Sequence, residues 1–159
     1  MRTSYGALKI AANTTPSVAP NTPAAFTTGW AAHGVSQQGD ASVTPVAASG
    51  KLTLVEGVYR VCASLAFETE NISGTSGDDS NDVSFTLYAG GAALSGTKRS
   101  VNQQALDRPA CVQTEDIVEI TSAMVDAGTN YVQLYSSSGA SNGTDITVTN
   151  GILSALRLS

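Results

Sequence analysis

Apolar and polar residues alternate along a long stretch in the first half of the chain. Between positions 58 and 68 the odd residues are apolar, and the even residues are mostly polar or small. The odd series is Tyr59, Val61, Ala63, Leu65 and Phe67. Because successive side chains of a strand point to opposite faces, this period of two predicts a half-buried antiparallel strand. A predicted strand at 51–54 and a predicted turn at Glu56-Gly57 precede it.

Shorter apolar runs recur through the remainder of the chain at intervals of about ten residues. They fall at positions 43–46, 83–89, 92–94, 110–112, 117–120, 131–135, 146–148 and 152–158. Segments rich in Gly, Asp, Asn and Ser separate them. No segment shows a helical period, and residues 121–127 would form one turn at most. The pattern therefore predicts an all-β sandwich, jelly roll or barrel.

The N-terminal segment differs from the rest. Residues 4–12 alternate weakly and predict a short edge strand, and residues 13–25 contain three prolines. Because Pro cannot donate to a strand ladder and favours extended geometry before it, residues 1–25 are predicted to form an extended arm. Phe26 and Trp30 follow, and we expect them to anchor this arm to the core. Residues 26–159 are then the folded domain.

Several segments resemble, in the expected order, the globular heads of proteins of the tumour-necrosis-factor and complement type. Gly57-Val58-Tyr59, with the alternating run to Phe67, resembles the Gly-x-Tyr strand of that family. Residues 83–91 resemble its middle strand, and residues 151–158 resemble its closing strand. Residues 114–120 stand where the family has a Gly-Asp turn into a strand, with Glu115 in place of the Gly.

The resemblance implies a single jelly-roll sandwich of about eight to ten antiparallel strands that assembles as a homotrimer. Within this resemblance, the Ala, Ser, Thr and Gly-rich composition of the chain is similar to that of small phage virion proteins. They include capsid decoration (cement) proteins and fibre or spike tips.

Composition narrows the function classes. Charged residues make up 13% of the chain, the net charge is −5, and no run approaches the length of a membrane span. The acidic balance with scattered Lys and Arg argues against a nucleic-acid surface. The start of the chain lacks the apolar core of a secretory signal, so we expect synthesis in a host cytoplasm.

Catalytic chemistry is poorly represented. The chain has one histidine, His33, and no Gly-x-Ser-x-Gly motif, so we expect no enzyme activity and no cofactor. The acidic loop that contains Asp78, Asp79 and Asp82 is the one candidate for a bound Ca²⁺. The loop lacks the spacing of an EF-hand, and Asp is also a common turn residue.

Cys62 and Cys111 are the only cysteines, and their spacing excludes a C-x-x-C motif. A bridge between adjacent strands stays open at this point, although cytoplasmic synthesis favours two free thiols.

The candidate contact residues are aromatic: Tyr5, Phe26, Trp30, Tyr131 and Tyr135. The segment from Tyr131 to Tyr135 is apolar on both faces, as expected for a strand covered by the core on one side and a second subunit on the other. The leading hypothesis is a trimeric capsid decoration protein on the outer surface of a phage head, with itself and the major coat protein as partners. The alternatives are a receptor- or glycan-binding fibre tip and a secreted complement-like binding module.

Overall fold

The computed structural model describes residues 4–10, 17–18, 22–33, 42–70, 81–103, 109–139 and 144–159. In this part of the chain two antiparallel sheets enclose one core. Sheet I has the order β11 (Pro109–Ile120), β7 (Gly57–Glu70), β13 (Thr144–Arg157), β1 (Tyr5–Ile10) and β4 (Ala31–His33), with β2 (Ser17–Val18) paired to β13. Sheet II has the order β10 (Arg99–Gln103), β8 (Asn81–Ala89), β12 (Tyr131–Ser138), β6 (Lys51–Leu54) and β5 (Val43–Val46), with β3 (Ala24–Ala25) on β12 and β9 (Ala92–Ala93) on β8. A single-turn helix, α1 (Ser122–Asp126), follows β11, and a 3-10 turn (Ala47–Ser49) precedes β6.

Strand β7 confirms the alternation predicted from the sequence. All five residues of its odd series are at most 3% exposed, whereas Arg60 and Cys62 between them point away from the core. Because apolar burial is the main favourable contribution to folding, the face of β7 that carries the odd series turns toward the core.

Aromatic rings join the two sheets at the centre of the core. Phe67 of sheet I meets Phe85 of sheet II edge to face, with 5.3 Å between ring centroids. Phe26 packs on Phe85 at 6.2 Å and on Trp30 at 5.9 Å. The indole N–H of Trp30 donates to the carbonyl oxygen of Phe26 at 2.8 Å, which satisfies its one polar group inside the core.

Two pairs of short strands predicted from the sequence are single long strands. In β11, Thr114 occupies an inward position among apolar neighbours, and its hydroxyl donates to the carbonyl oxygen of Thr97 at 2.8 Å. In β13, an irregularity between Val148 and Asn150 carries the ladder past the polar residues at 149 and 150. A hydrogen-bonded core hydroxyl and a bulge interrupt the apolar pattern without ending the strand.

The prediction of an N-terminal arm is wrong for residues 5–10. They form β1, which pairs with β13 on one side and with β4 on the other, so β1 is not an edge strand. Leu8 and Ile10 are fully buried. Residues 31–33, which belong to none of the apolar runs in the sequence, form the strand β4 that covers β1. Neither β1 nor β4 has a strong alternating pattern of its own.

Candidate functional site

The outward surface of sheet I, here called the sheet I face, is one of two broad exposed surfaces in the described part of the chain. Its side chains come from alternate strand positions: Tyr5, Ala7, Lys9, His33, Arg60, Cys62, Ser64, Glu115, Ile117, Ile152, Ser154 and Leu156. The register places Ile117, Arg60, Leu156 and Tyr5 in one row across four adjacent strands. Ile117 is 55% exposed and Tyr5 is 37% exposed. This row presents large apolar side chains to solvent on both sides of one arginine.

An ion pair on the sheet I face joins the edge strand β11 to its neighbour β7. Nε and a terminal guanidinium nitrogen of Arg60 donate to one carboxylate oxygen of Glu115, at 3.0 and 2.6 Å. The Cys62 thiol donates to the same oxygen at 3.5 Å. The Arg60 hydrogen bond lowers the pKa of Glu115, and burial followed by the Glu115 hydrogen bond raises the pKa of Cys62. The charges are therefore locally balanced, and the raised pKa of Cys62 favours its protonated form, which reacts more slowly than a thiolate.

The outward surface of sheet II carries a tyrosine cluster, which consists of Tyr88, Tyr131, Tyr135, Lys51 and Gln133. Gln133 lies opposite Lys51 on β6 and opposite Tyr88 on β8, and the other two tyrosines flank it along β12. The rings of Tyr88 and Tyr135 stack at 3.8 Å between centroids and 15° between planes. The Lys51 ammonium lies 3.9 Å from the ring centroid of Tyr131.

The phenols of this cluster influence one another. Burial raises the pKa of Tyr135, and the neighbouring Tyr131 and Tyr88 raise it further because three phenolates so close together would repel one another. At neutral pH Tyr135 therefore keeps its O–H, which can donate a hydrogen bond as well as accept one.

The structure separates the five predicted contact residues. Tyr5 lies on the sheet I face, and Tyr131 and Tyr135 lie in the tyrosine cluster on the opposite side of the sandwich. Phe26 and Trp30 are only 3% and 7% exposed, so they anchor the core and are not available as partner contacts. Their burial follows from the Trp30–Phe26 hydrogen bond and the edge-to-face packing on Phe85.

The predicted cation site is outside the described residues. Asp78 and Asp79 are not described, and for Asp82 only the backbone in β8 is described. Among the residues that the structure does describe, no three His, Cys, Asp or Glu side chains gather in a way that could hold a metal ion. The same residues include no helix with the length and apolar character of a membrane span.

The two cysteines do not meet. Cys62 lies opposite Glu115 in the ladder, and Cys111 lies four residues further along β11, opposite Ala66. Four residues of a strand span about 13 Å, which exceeds the reach of a disulfide. Both thiols are free, as the sequence analysis favours.

The sequence does not mark Arg60, Ile117 and Leu156 as neighbours on one surface. Nor does it mark Lys51 and Gln133 as neighbours of the tyrosines. Their alternation with buried residues places each of them on an outward face. The pairing of strands distant in the sequence brings them together, and no local pattern contains that information.

Two antiparallel sheets of this order, closed over one core, define a jelly-roll sandwich. The fold is that of the tumour-necrosis-factor-like jelly rolls. The structure of Eiger TNF from S. frugiperda superposes with a TM-score of 0.62 at 12% identity, covering 98% of this chain and 94% of that chain. Murine APRIL, in structures at pH 8.0 and pH 8.5, superposes with a TM-score of 0.51 at 8% identity, covering 97% of this chain and 99% of that chain. No protein-family model matches the chain, and no curated protein matches it in sequence.

Proposed function

We propose that this chain is a non-enzymatic structural protein that forms a homotrimer through the sheet I face and, as a trimer, decorates the outer surface of a virus capsid at junctions between coat subunits. The observation that carries the proposal is the outward row on the sheet I face, in which Ile117 and Tyr5 are exposed and Leu156 is half-buried. The trimeric, virion-bound setting is supported by the sequence resemblance and by the Ala, Ser, Thr and Gly-rich composition.

Self-association would bury a row that is costly to leave in water. Complete burial of one Ile side chain stabilises by about 1.5–3 kcal/mol, and Ile117 has 55% of its surface still to bury. In a closed ring of identical subunits every interface contains the same residues, so one substitution changes all three interfaces. The Arg60–Glu115 pair enters the interface already neutralised, which lowers the cost of covering it.

The first test measures the mass of the purified chain by light scattering at micromolar concentration. We expect a mass near three times 16.2 kDa for the wild type. Ile117→Glu is expected to yield a folded monomer. Val46→Glu is the matched control, since Val46 is an exposed β-branched strand residue on sheet II, and it should leave the trimer intact. A monomeric wild type would refute the trimer, and dissociation by Val46→Glu alone would place the interface on sheet II.

The second test concerns decoration. The trimer is incubated with assembled candidate coat shells, and co-sedimentation and shell heat stability are measured. Three linked contacts bind about 10²–10⁴ times more tightly than one, so the wild type should bind to saturation and Ile117→Glu should be lost from the pellet. A stable trimer that changes neither the sedimentation nor the heat stability of the shells contradicts the decoration role.

A further inference from the structure

The tyrosine cluster on sheet II has a feature that its surface position does not explain. Gln133 points outward from the sheet, yet it is only 2% exposed. Its four surrounding side chains, Lys51, Tyr88, Tyr131 and Tyr135, come from three strands and close over it. An amide therefore lies buried at the centre of a ring of three phenols and one ammonium group.

This amide is only half satisfied. Its nitrogen donates to the carbonyl oxygen of Ser49 at 2.6 Å, which fixes the orientation of the group. Within the described residues the amide oxygen accepts no hydrogen bond. Buried polar atoms without a partner are rare because their desolvation is not compensated, so each one calls for an explanation. A ligand hydroxyl donating to this oxygen is such an explanation.

The surrounding groups also retain binding capacity. None of the three phenol hydroxyls makes a hydrogen bond within the described residues, and Lys51 is held over the Tyr131 ring with no carboxylate partner there. The parallel Tyr88–Tyr135 pair provides a rigid, two-ring aromatic surface. Tyrosines supply large contact area at a small cost in conformational entropy, which suits recognition of a ligand that is partly apolar and partly hydroxylated.

We propose that the tyrosine cluster is a saccharide-binding site. The C–H face of a pyranose ring packs on the tyrosine rings, while sugar hydroxyls bond to the phenols. The amide oxygen of Gln133 accepts from a sugar hydroxyl when the side chains that cover it move apart to admit the ligand. Lys51 donates to a sugar hydroxyl, or to a carboxylate when the sugar carries one. The acidic chain, with a net charge of −5 and one lysine in the cluster, does not suit the phosphate backbone of a nucleic acid. This proposal does not rest on trimer formation or on shell binding.

The test titrates two probes, the neutral maltohexaose and the acidic tetragalacturonate, into the full chain, with calorimetry and ligand-observed NMR as readouts. We expect at least one probe to bind with a Kd of about 1 mM or tighter. Tyr135→Ala should weaken binding at least about tenfold by removing the stacked ring, and Tyr135→Phe should retain the stacking part. A preference for the acidic probe that Lys51→Gln abolishes would assign the carboxylate contact to Lys51.

Tyr5→Ala is the matched control, since Tyr5 is an exposed strand tyrosine on the opposite face. If Tyr135→Ala does not fold, Lys51→Gln and Tyr88→Phe serve in its place. Binding of neither probe at about 10 mM overturns the proposal. Equal weakening by Tyr5→Ala and Tyr135→Ala also overturns it. The proposal is also overturned if the variants of the tyrosine cluster lose shell binding while the wild type binds no sugar, because the cluster would then be a contact with another protein.

Discussion

Gly50 is the position where a single added methyl group tests the packing of the core around Trp30. It ends the 3-10 turn in a left-handed conformation, with φ 64° and ψ 29°. A Cβ atom there would lie 2.6 Å from the carbonyl oxygen of Phe26 and 2.9 Å from Cδ1 of Trp30. That same oxygen accepts the indole N–H at 2.8 Å, so Gly50→Ala collides with both partners of a buried hydrogen bond.

The expected loss has two parts. An alanine in the left-handed region costs about 1–2 kcal/mol relative to glycine. Displacing the Phe26 carbonyl and leaving the buried indole N–H of Trp30 unsatisfied costs a further ~1–3 kcal/mol. The sum is about 2–5 kcal/mol, which for a chain of this size lowers Tm by roughly 4–20 °C.

Gly96→Ala separates the two parts. Gly96 also has a positive φ, of +82°, but a Cβ atom there would meet nothing within 4 Å. This variant therefore carries the backbone cost alone. Both variants are compared with the wild type by urea and thermal unfolding at one protein concentration, since the stability of an oligomer depends on concentration. Equal losses in the two variants would show that the Gly50–Phe26–Trp30 contact is not tight and would refute the reasoning.

Three further outcomes are expected. Glu115→Gln should be less stable than the wild type at pH 7. Because the pKa of Glu115 is lowered in the folded chain, this difference is fully present above the ordinary carboxyl pKa of about 4.3 and shrinks as the pH falls from there through the lowered pKa. Urea unfolding of both proteins at pH 7 and pH 3 measures it, and a difference that is the same at both pH values would contradict the prediction. Leu8→Ala should cost about 2–5 kcal/mol in urea unfolding, because β1 is inside the sandwich; a loss below about 0.5 kcal/mol would return residues 5–10 to an arm. When the chain is alkylated without reductant, mass spectrometry should find both thiols modified. Exposed Cys111 should react before Cys62, because burial raises the pKa of the Cys62 thiol. An intrachain disulfide would contradict the register of β7 and β11.

The predictability of each strand follows from how local its signal is. β7 and β8 carry uninterrupted alternation, so their existence and inward faces are read correctly from the sequence. β1, β4 and β10 are short or irregular in pattern, and their strand structure depends on neighbours far away in the chain. Trp30 shows the same limit: the sequence marks it as an anchor but does not distinguish a core ring from an exposed contact.

The sequence by itself determined that the chain is all-β, which residues of the strongest strands turn inward, and that its thiols form no motif. These properties follow from a period of two that any single strand contains. Only the tertiary structure decided which outward residues share a surface. The row on the sheet I face comes from four separate segments, which contribute Ile117, Arg60, Leu156 and Tyr5. The residues around Gln133 come from three separate segments. Register between distant strands is set by closure of one core over two sheets, and that is a property of the whole chain rather than of any segment.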